Sequence, residues 1–175
     1  MKEFRDAIDL CVDRHLVLPA LTLIYTTIDV SAWITYDDTR VGDRFERWCN
    51  SHLLPRSKLK ATAVDLYGAR CGVLHTLSSE STKSVRGTAR EIVYGWGNAD
   101  HRQLQEAIDL AGHPGYVSIQ VEELRDALSA AIDCLVDEAS GSPQMLEKAG
   151  KVLAVQSQEA ADRLLNEVRA SRGDV

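Results

Sequence analysis

Apolar side chains recur at helical spacing over most of the first 77 residues. They lie three or four positions apart, the spacing of one face of an α-helix, over residues 3–14, 18–36, 42–54 and 57–77. The second of these stretches is the most apolar, so we expect it to form the central core helix. Ser57 is predicted to cap the fourth helix. The hydroxyl-rich run that follows, residues 78–84, is predicted to be a loop.

The pattern changes after this loop. Residues 91–97 and 116–121 are rich in β-branched and aromatic side chains, which is typical of short strands. Asn98 is predicted to cap a helix over residues 100–110 between them. Two strands separated in this way predict a small two-stranded ribbon. Such a ribbon is marginally stable alone, so we expect it to pack against the helices.

Helical spacing then returns over residues 122–139. Ser142 and Pro143 are predicted to cap and begin a last helix that runs to about residue 169. The predicted fold class is therefore mainly α: an up-and-down helical bundle with a minor two-stranded β ribbon near residues 91–121. We expect one domain over 1–175, with a core over about 3–139 and a C-terminal helical extension over about 142–170.

Charge is distributed unevenly along the chain. The net charge is −6, which argues against general nucleic-acid binding by the whole surface and gives no sign of a DNA-binding protein. Residues 56–90, however, carry seven basic and two acidic side chains, whereas both flanking segments are acidic. This basic segment either creates a field for an anionic ligand or reflects chance and solubility.

Cysteine usage and hydropathy indicate a cytoplasmic protein. The four cysteines lie far apart with no CxxC pair, which favours reduced thiols over a disulfide framework. The N-terminal residues show no signal-peptide pattern. The apolar stretch from Leu16 to Trp33 is interrupted by Pro19 and Asp29, so we expect a buried core helix and no membrane span.

The clearest candidate chemistry is the pair Arg70 and His75 within the fourth helix. Arginine matches phosphate with a fixed fork of N–H donors, and histidine exchanges a proton near neutral pH. On an ideal helix the two positions lie about 140° apart and about 7.5 Å along the axis, so a ligand must lie across the helix to reach both. Asp65, Tyr67 and Thr76 are predicted to support the pair through hydrogen bonds.

A purely structural role for the same residues stays open. In that interpretation Arg70 pairs with Asp65 or Glu80, and His75 packs half-buried in the core. Gly68 and Gly72 lie on a strip of small residues, which favours close approach of another helix from the same chain or from a second copy.

The spacing of histidines, cysteines and glycines along the sequence does not indicate a metal site or a cofactor-binding site. The five histidines are scattered, with no HExxH and no paired Cys/His spacing, and no phosphate-binding loop motif occurs. We therefore expect neither.

The order of these features resembles the HEPN superfamily, the higher eukaryotes and prokaryotes nucleotide-binding domain. The similar features are the apolar helix from Leu16 to Trp33, the Arg-x4-His helix, and the strands Ile-Val-Tyr-Gly-Trp-Gly (92–97) and Val-Ser-Ile-Gln-Val-Glu-Glu-Leu (117–124). The resemblance implies a helical bundle, a homodimer and, in active members, metal-independent RNA cleavage at a composite site. On this chain the motif falls on Arg70 and His75.

The motif also departs from the family pattern, because active members commonly carry a polar residue directly after the arginine. Here Cys71 and then Gly72 follow Arg70. The resemblance therefore predicts a metal-independent endoribonuclease, in a defence or toxin-type system, that acts on RNA as a homodimer. The alternative is a non-catalytic HEPN-like dimerisation module that binds a nucleotide, RNA or a protein.

Overall fold

A computed structural model describes residues 1–37, 40–78, 82–152 and 158–172. Within them the secondary structure is mainly α with one pair of strands, which confirms the predicted fold class. The elements in chain order are α1 (Lys2–Asp13), α2 (Val17–Thr35), α3 (Val41–Trp48), a π-helical turn (Cys49–Leu53), a 3₁₀ turn (Leu54–Arg56), α4 (Ala63–Thr76), α5 (Thr82–Val85), β1 (Glu91–Gly95), α6 (His101–Leu110), β2 (Tyr116–Gln120), α7 (Val121–Ser140), α8 (Pro143–Gly150) and α9 (Gln158–Arg172).

Helix α2 forms the centre of the core, as predicted. It packs against α1, α3, α4, α7 and α8, and buries nine of its residues. By length and composition alone it is also apolar enough to cross a membrane, a property that the core helices of soluble proteins share; half of its apolar window is buried inside the protein. Asp29 is the one charged side chain in this helix.

The two strands form a parallel pair. Glu91 lies opposite Tyr116 and Gly95 opposite Gln120, with α6 as the crossover that a parallel connection requires. Helix α4 packs against β1, and α6 and α7 pack against β2. A hydrogen bond of 2.6 Å between the Tyr25 and Tyr94 hydroxyls ties α2 to β1.

The start of α4 differs from the prediction. Ser57 does not cap this helix, because the helix begins six residues later, at Ala63. Thr62 is the N-cap: its hydroxyl accepts from the Asp65 backbone N–H, and the Asp65 carboxylate accepts from the Thr62 backbone N–H. This reciprocal capping box satisfies two backbone donors at once, which a lone serine after Pro55 does not do.

Three further boundaries also differ. Asp100 and not Asn98 caps α6, since its carboxylate accepts from the backbone N–H of Arg102 at 2.9 Å. The predicted third helix turns into π and 3₁₀ turns after Trp48. In the predicted loop, residues 79–81 lie outside the described residues, and α5 begins at Thr82.

The predicted last helix is not continuous. Ser142 caps α8 and Pro143 occupies its first position, as predicted, but α8 ends at Gly150. Residues 153–157 lie outside the described residues, and α9 begins at Gln158. The Lys148 ammonium holds α8 on the bundle by donating to the carbonyls of Trp33 and Tyr36.

Candidate functional site

Arg70 and His75 meet on the last two turns of α4. The Arg70 Nη1 atom lies 3.2 Å from the His75 Nε2 atom, so the long arginine side chain spans the angle that separates the two positions on the helix. A guanidinium can only donate, so His75 Nε2 accepts in this contact and carries no proton there. The His75 side chain is exposed, whereas Arg70 is mostly buried.

Asp29 of α2 holds the arginine in place. Its Oδ2 atom accepts from Arg70 Nε at 2.7 Å and from Arg70 Nη2 at 2.6 Å. The other carboxylate oxygen, Oδ1, is buried and has no hydrogen-bond partner among the described residues. The ion pair therefore fixes Arg70 while it leaves one acceptor of Asp29 unsatisfied.

The electrostatics of this pair are unbalanced. Burial raises the pKa of Asp29 above its ordinary value, and the hydrogen bonds and charge of Arg70 oppose this without cancelling it. Arg44 and His75 also act on the same carboxylate. Burial alone would lower the pKa of Arg70, but Asp29 outweighs it and raises that pKa, so the guanidinium stays charged.

Two neighbours on α4 complete the surroundings of Arg70. Cys71 interacts with the side chains of both Arg70 and Tyr67, and burial together with Cys71 raises the pKa of the Tyr67 hydroxyl. The Tyr67 ring contacts Phe45 at 5.4 Å between centroids, and the Lys83 ammonium lies 4.6 Å from its centre. Tyr67 thus borders the pair and also packs against α3.

Asp65, predicted to support the pair, is engaged elsewhere. Its carboxylate accepts from the Arg90 backbone N–H at 2.7 Å and from Arg90 Nη2 at 2.7 Å, in addition to the capping contacts with Thr62. Burial would raise the pKa of Asp65, but the hydrogen bonds from Arg90 and Thr62 outweigh it and lower that pKa. Asp65 joins the start of α4 to the start of β1.

Thr76 is also turned to local contacts. Its hydroxyl donates to the Gly72 carbonyl at 3.0 Å and lies 2.7 Å from the Ser78 hydroxyl. Arg70 pairs with Asp29 and not with Asp65, and Glu80, the other predicted partner, lies outside the described residues.

The strip of small residues on α4 is buried within the single chain. Gly68 and Gly72 are both buried, and α4 packs against α2, α3 and β1. Close packing inside the chain therefore accounts for these glycines without a second copy.

Asp29 is the site residue that the sequence interpretation missed, although a signal was present. A lone carboxylate in the most apolar helix has to find a cation, and α4 supplies the nearest one in Arg70. Spacing along the chain does not reveal this contact, because 41 residues separate the two positions.

Two clefts lie apart from this cluster. One of about 630 Å³ is bordered by the 58–60 segment, α6 and β2, and one of about 500 Å³ lies beside Arg90. Neither is lined by Asp29, Arg70 or His75. Of the pair, His75 is exposed and Arg70 is mostly buried.

A second polar cluster lies where the π-helical turn meets α7. His52 Nε2 is 3.0 Å from Glu138 Oε2, and the Cys134 thiol donates to Glu138 Oε1 at 3.4 Å. These three potential metal ligands lie within 4.8 Å of one another. The predicted absence of a metal site rested on spacing along the chain, which does not reveal ligands 86 residues apart.

No family model, curated protein or solved structure matches this chain. What supports a function is therefore the arrangement of the chain's own side chains.

Proposed function

We propose that the protein is a metal-independent endoribonuclease in which Arg70 and His75 act on one phosphodiester. The observation that carries the proposal is the contact between Arg70 Nη1 and the exposed His75 at Nε2, 3.2 Å, within the only strongly basic segment of the sequence. It pairs a permanent cation with an unprotonated imidazole nitrogen, which are the two groups needed to bind a phosphate and accept a proton.

The proposed chemistry is attack of a ribose 2′-OH on the adjacent phosphorus. His75 takes the proton from that hydroxyl or gives one to the departing 5′ oxygen, and the products are a 2′,3′-cyclic phosphate and a free 5′-hydroxyl. Arg70 stabilises the negative charge that builds on the phosphate oxygens. Asp29 orients the guanidinium through Nε and Nη2, so Nη1 points toward His75.

A second copy of the chain would complete this site. Neither of the two clefts described above includes the pair, and a second copy would help to enclose the phosphate. The family resemblance also implies a composite site across a homodimer. We place this activity in the cytoplasm, where reduced cysteines and RNA are both found.

The test is RNA cleavage in the presence of EDTA, with analysis of the product ends. We expect wild-type protein to cleave and to leave cyclic phosphates. His75→Ala should lower the rate by about 100-fold or more, since it removes the proton-transfer group. His113→Ala is the matched control, because His113 is exposed and belongs to the turn before β2.

Each result has a definite meaning when folding is checked by circular dichroism and association by sedimentation. Loss of cleavage in His75→Ala with full activity in His113→Ala supports the proposal. Undiminished cleavage in His75→Ala contradicts it, as does the absence of cleavage in folded, dimeric wild-type protein.

A non-catalytic role is the second candidate, and two observations favour it. Arg70 is already bound to Asp29 by two N–H groups, and Cys71 stands where active family members carry a polar residue. In this role Arg70 would bind a phosphate group of a nucleotide or RNA without cleavage. Salt-dependent RNA binding that Arg70→Gln weakens, with intact RNA recovered afterwards, would support this candidate.

A further inference from the structure

The cluster at the π-helical turn has the composition of a zinc site. His52, Cys134 and Glu138 offer one nitrogen, one sulfur and a carboxylate, all ligand types that Zn²⁺ accepts. In a tetrahedral zinc site with ordinary bond lengths, neighbouring ligand atoms lie about 3.3–3.7 Å apart. The observed separations are 3.0 Å from His52 Nε2 to Glu138 Oε2 and 3.4 Å from Cys134 Sγ to the other oxygen, Oε1, and the three potential ligand atoms all lie within 4.8 Å of one another.

The imidazole of His52 is held in one orientation. Its Nδ1 atom lies 2.8 Å from the Ser51 hydroxyl, and its ring stacks on Trp48 with an interplanar angle of 4°. The ring is buried, and its Nε2 atom points at the carboxylate of Glu138. Metal-ligating histidines are almost always fixed in this way, by a hydrogen bond to the nitrogen that does not bind the metal.

The backbone also brings the three ligands together. Cys134 and Glu138 are four residues apart on α7, so their side chains share one face of that helix. His52 lies in the π-helical turn, Cys49–Leu53, which packs against α7. Such turns are rare and are found frequently at functional sites.

Arg56 lies next to these ligands. Its Nη2 atom donates to the Cys134 sulfur at 2.9 Å, and its Nη1 atom donates to the His52 carbonyl at 2.9 Å. A cation bound at the cluster would repel this guanidinium and displace it toward solvent, where Arg56 is already exposed. Arg56 therefore competes with a metal ion and contributes no ligand.

We propose that His52, Cys134 and Glu138 bind one Zn²⁺ ion, with water as the fourth ligand. The mixture of one imidazole, one thiolate and one carboxylate favours zinc over Mg²⁺ and Ca²⁺, which prefer oxygen ligands alone. Binding displaces the thiol proton of Cys134 to solvent. The ion joins the π-helical turn to α7 and so stabilises the bundle. It shares no residue with Arg70 and His75, and its test does not depend on RNA cleavage.

The first test is titration of the reduced, purified protein with Co²⁺ as a spectroscopic substitute for zinc. We expect one equivalent to bind and to give a thiolate-to-cobalt charge-transfer absorption that Zn²⁺ then abolishes. Cys134→Ser should lose this absorption, whereas Cys11→Ser should keep it. Cys11 is the matched control, because it is a free cysteine of similar exposure on α1.

Persistence of the absorption in folded Cys134→Ser would overturn the proposal, as would the absence of any binding to wild-type protein. Glu138→Gln serves as a second ligand variant, since Glu138 is half exposed and its loss leaves the core intact. We expect it to lower zinc affinity, measured by competition with a chromophoric chelator, and an unchanged affinity would contradict the assignment.

The second test uses two variants whose effects have opposite sign. Arg56→Gln removes the competing cation and should raise zinc affinity about tenfold. Ser51→Ala removes the hydrogen bond to His52 Nδ1 and should lower it about tenfold. Zinc should also raise the melting temperature of wild-type protein and leave that of Cys134→Ser unchanged. A weaker affinity in Arg56→Gln, or an equal rise in melting temperature for both proteins, would overturn the proposal.

Discussion

Two partly buried Arg–Asp pairs anchor helix α4, and they differ in how completely the oxygens of their carboxylates accept hydrogen bonds. In the Asp65–Arg90 pair, both carboxylate oxygens accept hydrogen bonds, from Arg90 and from Thr62. In the Asp29–Arg70 pair, one oxygen receives both arginine contacts and the other has no partner among the described residues. The pKa shifts follow this difference, since the pKa of Asp65 is lowered and that of Asp29 is raised.

The difference shows which pair serves the fold. A fully satisfied buried carboxylate stabilises the structure around it, because its charge is more favourable folded than unfolded. A partly satisfied carboxylate with a raised pKa stabilises less, because its charge is less favourable in the folded protein than in the unfolded chain. We therefore assign Asp65–Arg90 to folding and Asp29–Arg70 to the candidate site.

The largest expected effect is on Asp65. Asp65→Asn leaves Arg90 and two backbone N–H groups with poorer partners, so we expect a loss of about 3 kcal/mol in the free energy of unfolding. Guanidinium unfolding followed by circular dichroism measures this. Asp126→Asn is the control, since Asp126 is exposed in a surface pair and should change stability by less than about 0.5 kcal/mol. Equal losses of stability for Asp65→Asn and Asp126→Asn would contradict the structural role assigned to Asp65.

Thr62→Ala should have a smaller effect than Asp65→Asn. It removes one half of the capping box, which costs about 1 kcal/mol. Because Thr62 and Asp65 share hydrogen bonds, the double variant should lose less than the sum of the two single variants. Additive losses in the same unfolding experiment would show that the two residues act independently.

Asp29→Asn should cost less than Asp65→Asn, about 1–2 kcal/mol, because Arg70 loses its counter-charge but burial already disfavours the charged carboxylate and the amide oxygen still accepts from Arg70. The measurement is again guanidinium unfolding, with Asp65→Asn as the reference. A loss as large as that of Asp65→Asn would mean that both pairs serve the fold.

The smallest expected effect is a difference between the two pairs in how their contribution to stability depends on pH. The pKa of Asp65 lies below its ordinary value of 3.8 in the folded protein, so its contribution is present above pH 3.8 and is lost as pH falls through the folded pKa. The pKa of Asp29 lies above 3.8, so its contribution is present below that pH and is lost as pH rises through the folded pKa.

The stability difference between wild type and Asp65→Asn should therefore shrink on acidification. Asp29→Asn should instead gain stability relative to wild type as the pH rises above 3.8. Unfolding curves of the three proteins over an acidic pH series measure both trends, and parallel curves for the two variants would contradict the assignment.

The positions of the helices can be predicted from hydrophobic periodicity and from capping residues, whereas contacts between helices cannot. The helical spacing around Leu21, Leu66 and Leu128 reflects burial on one helix face, and these residues are indeed buried. The Arg70–His75 contact can also be predicted from the sequence, since both residues lie on one helix. The pairing of Arg70 with Asp29 cannot, because it depends on how α2 and α4 pack and not on local sequence. The start of α4 is set by the sequence Thr62-x-x-Asp65, whose reciprocal capping box is a stronger N-cap signal than Ser57 alone.

The most direct test of the account compares RNA cleavage by Asp29→Asn and Asp65→Asn in EDTA, at a temperature where both variants are folded. The account predicts that Asp29→Asn lowers the cleavage rate by about tenfold or more, because Arg70 loses its orientation, although this variant is the more stable of the two. Asp65→Asn should cleave at the wild-type rate in spite of its lower stability. Cleavage lost in Asp65→Asn and retained in Asp29→Asn, or absent from all three proteins, would contradict the account.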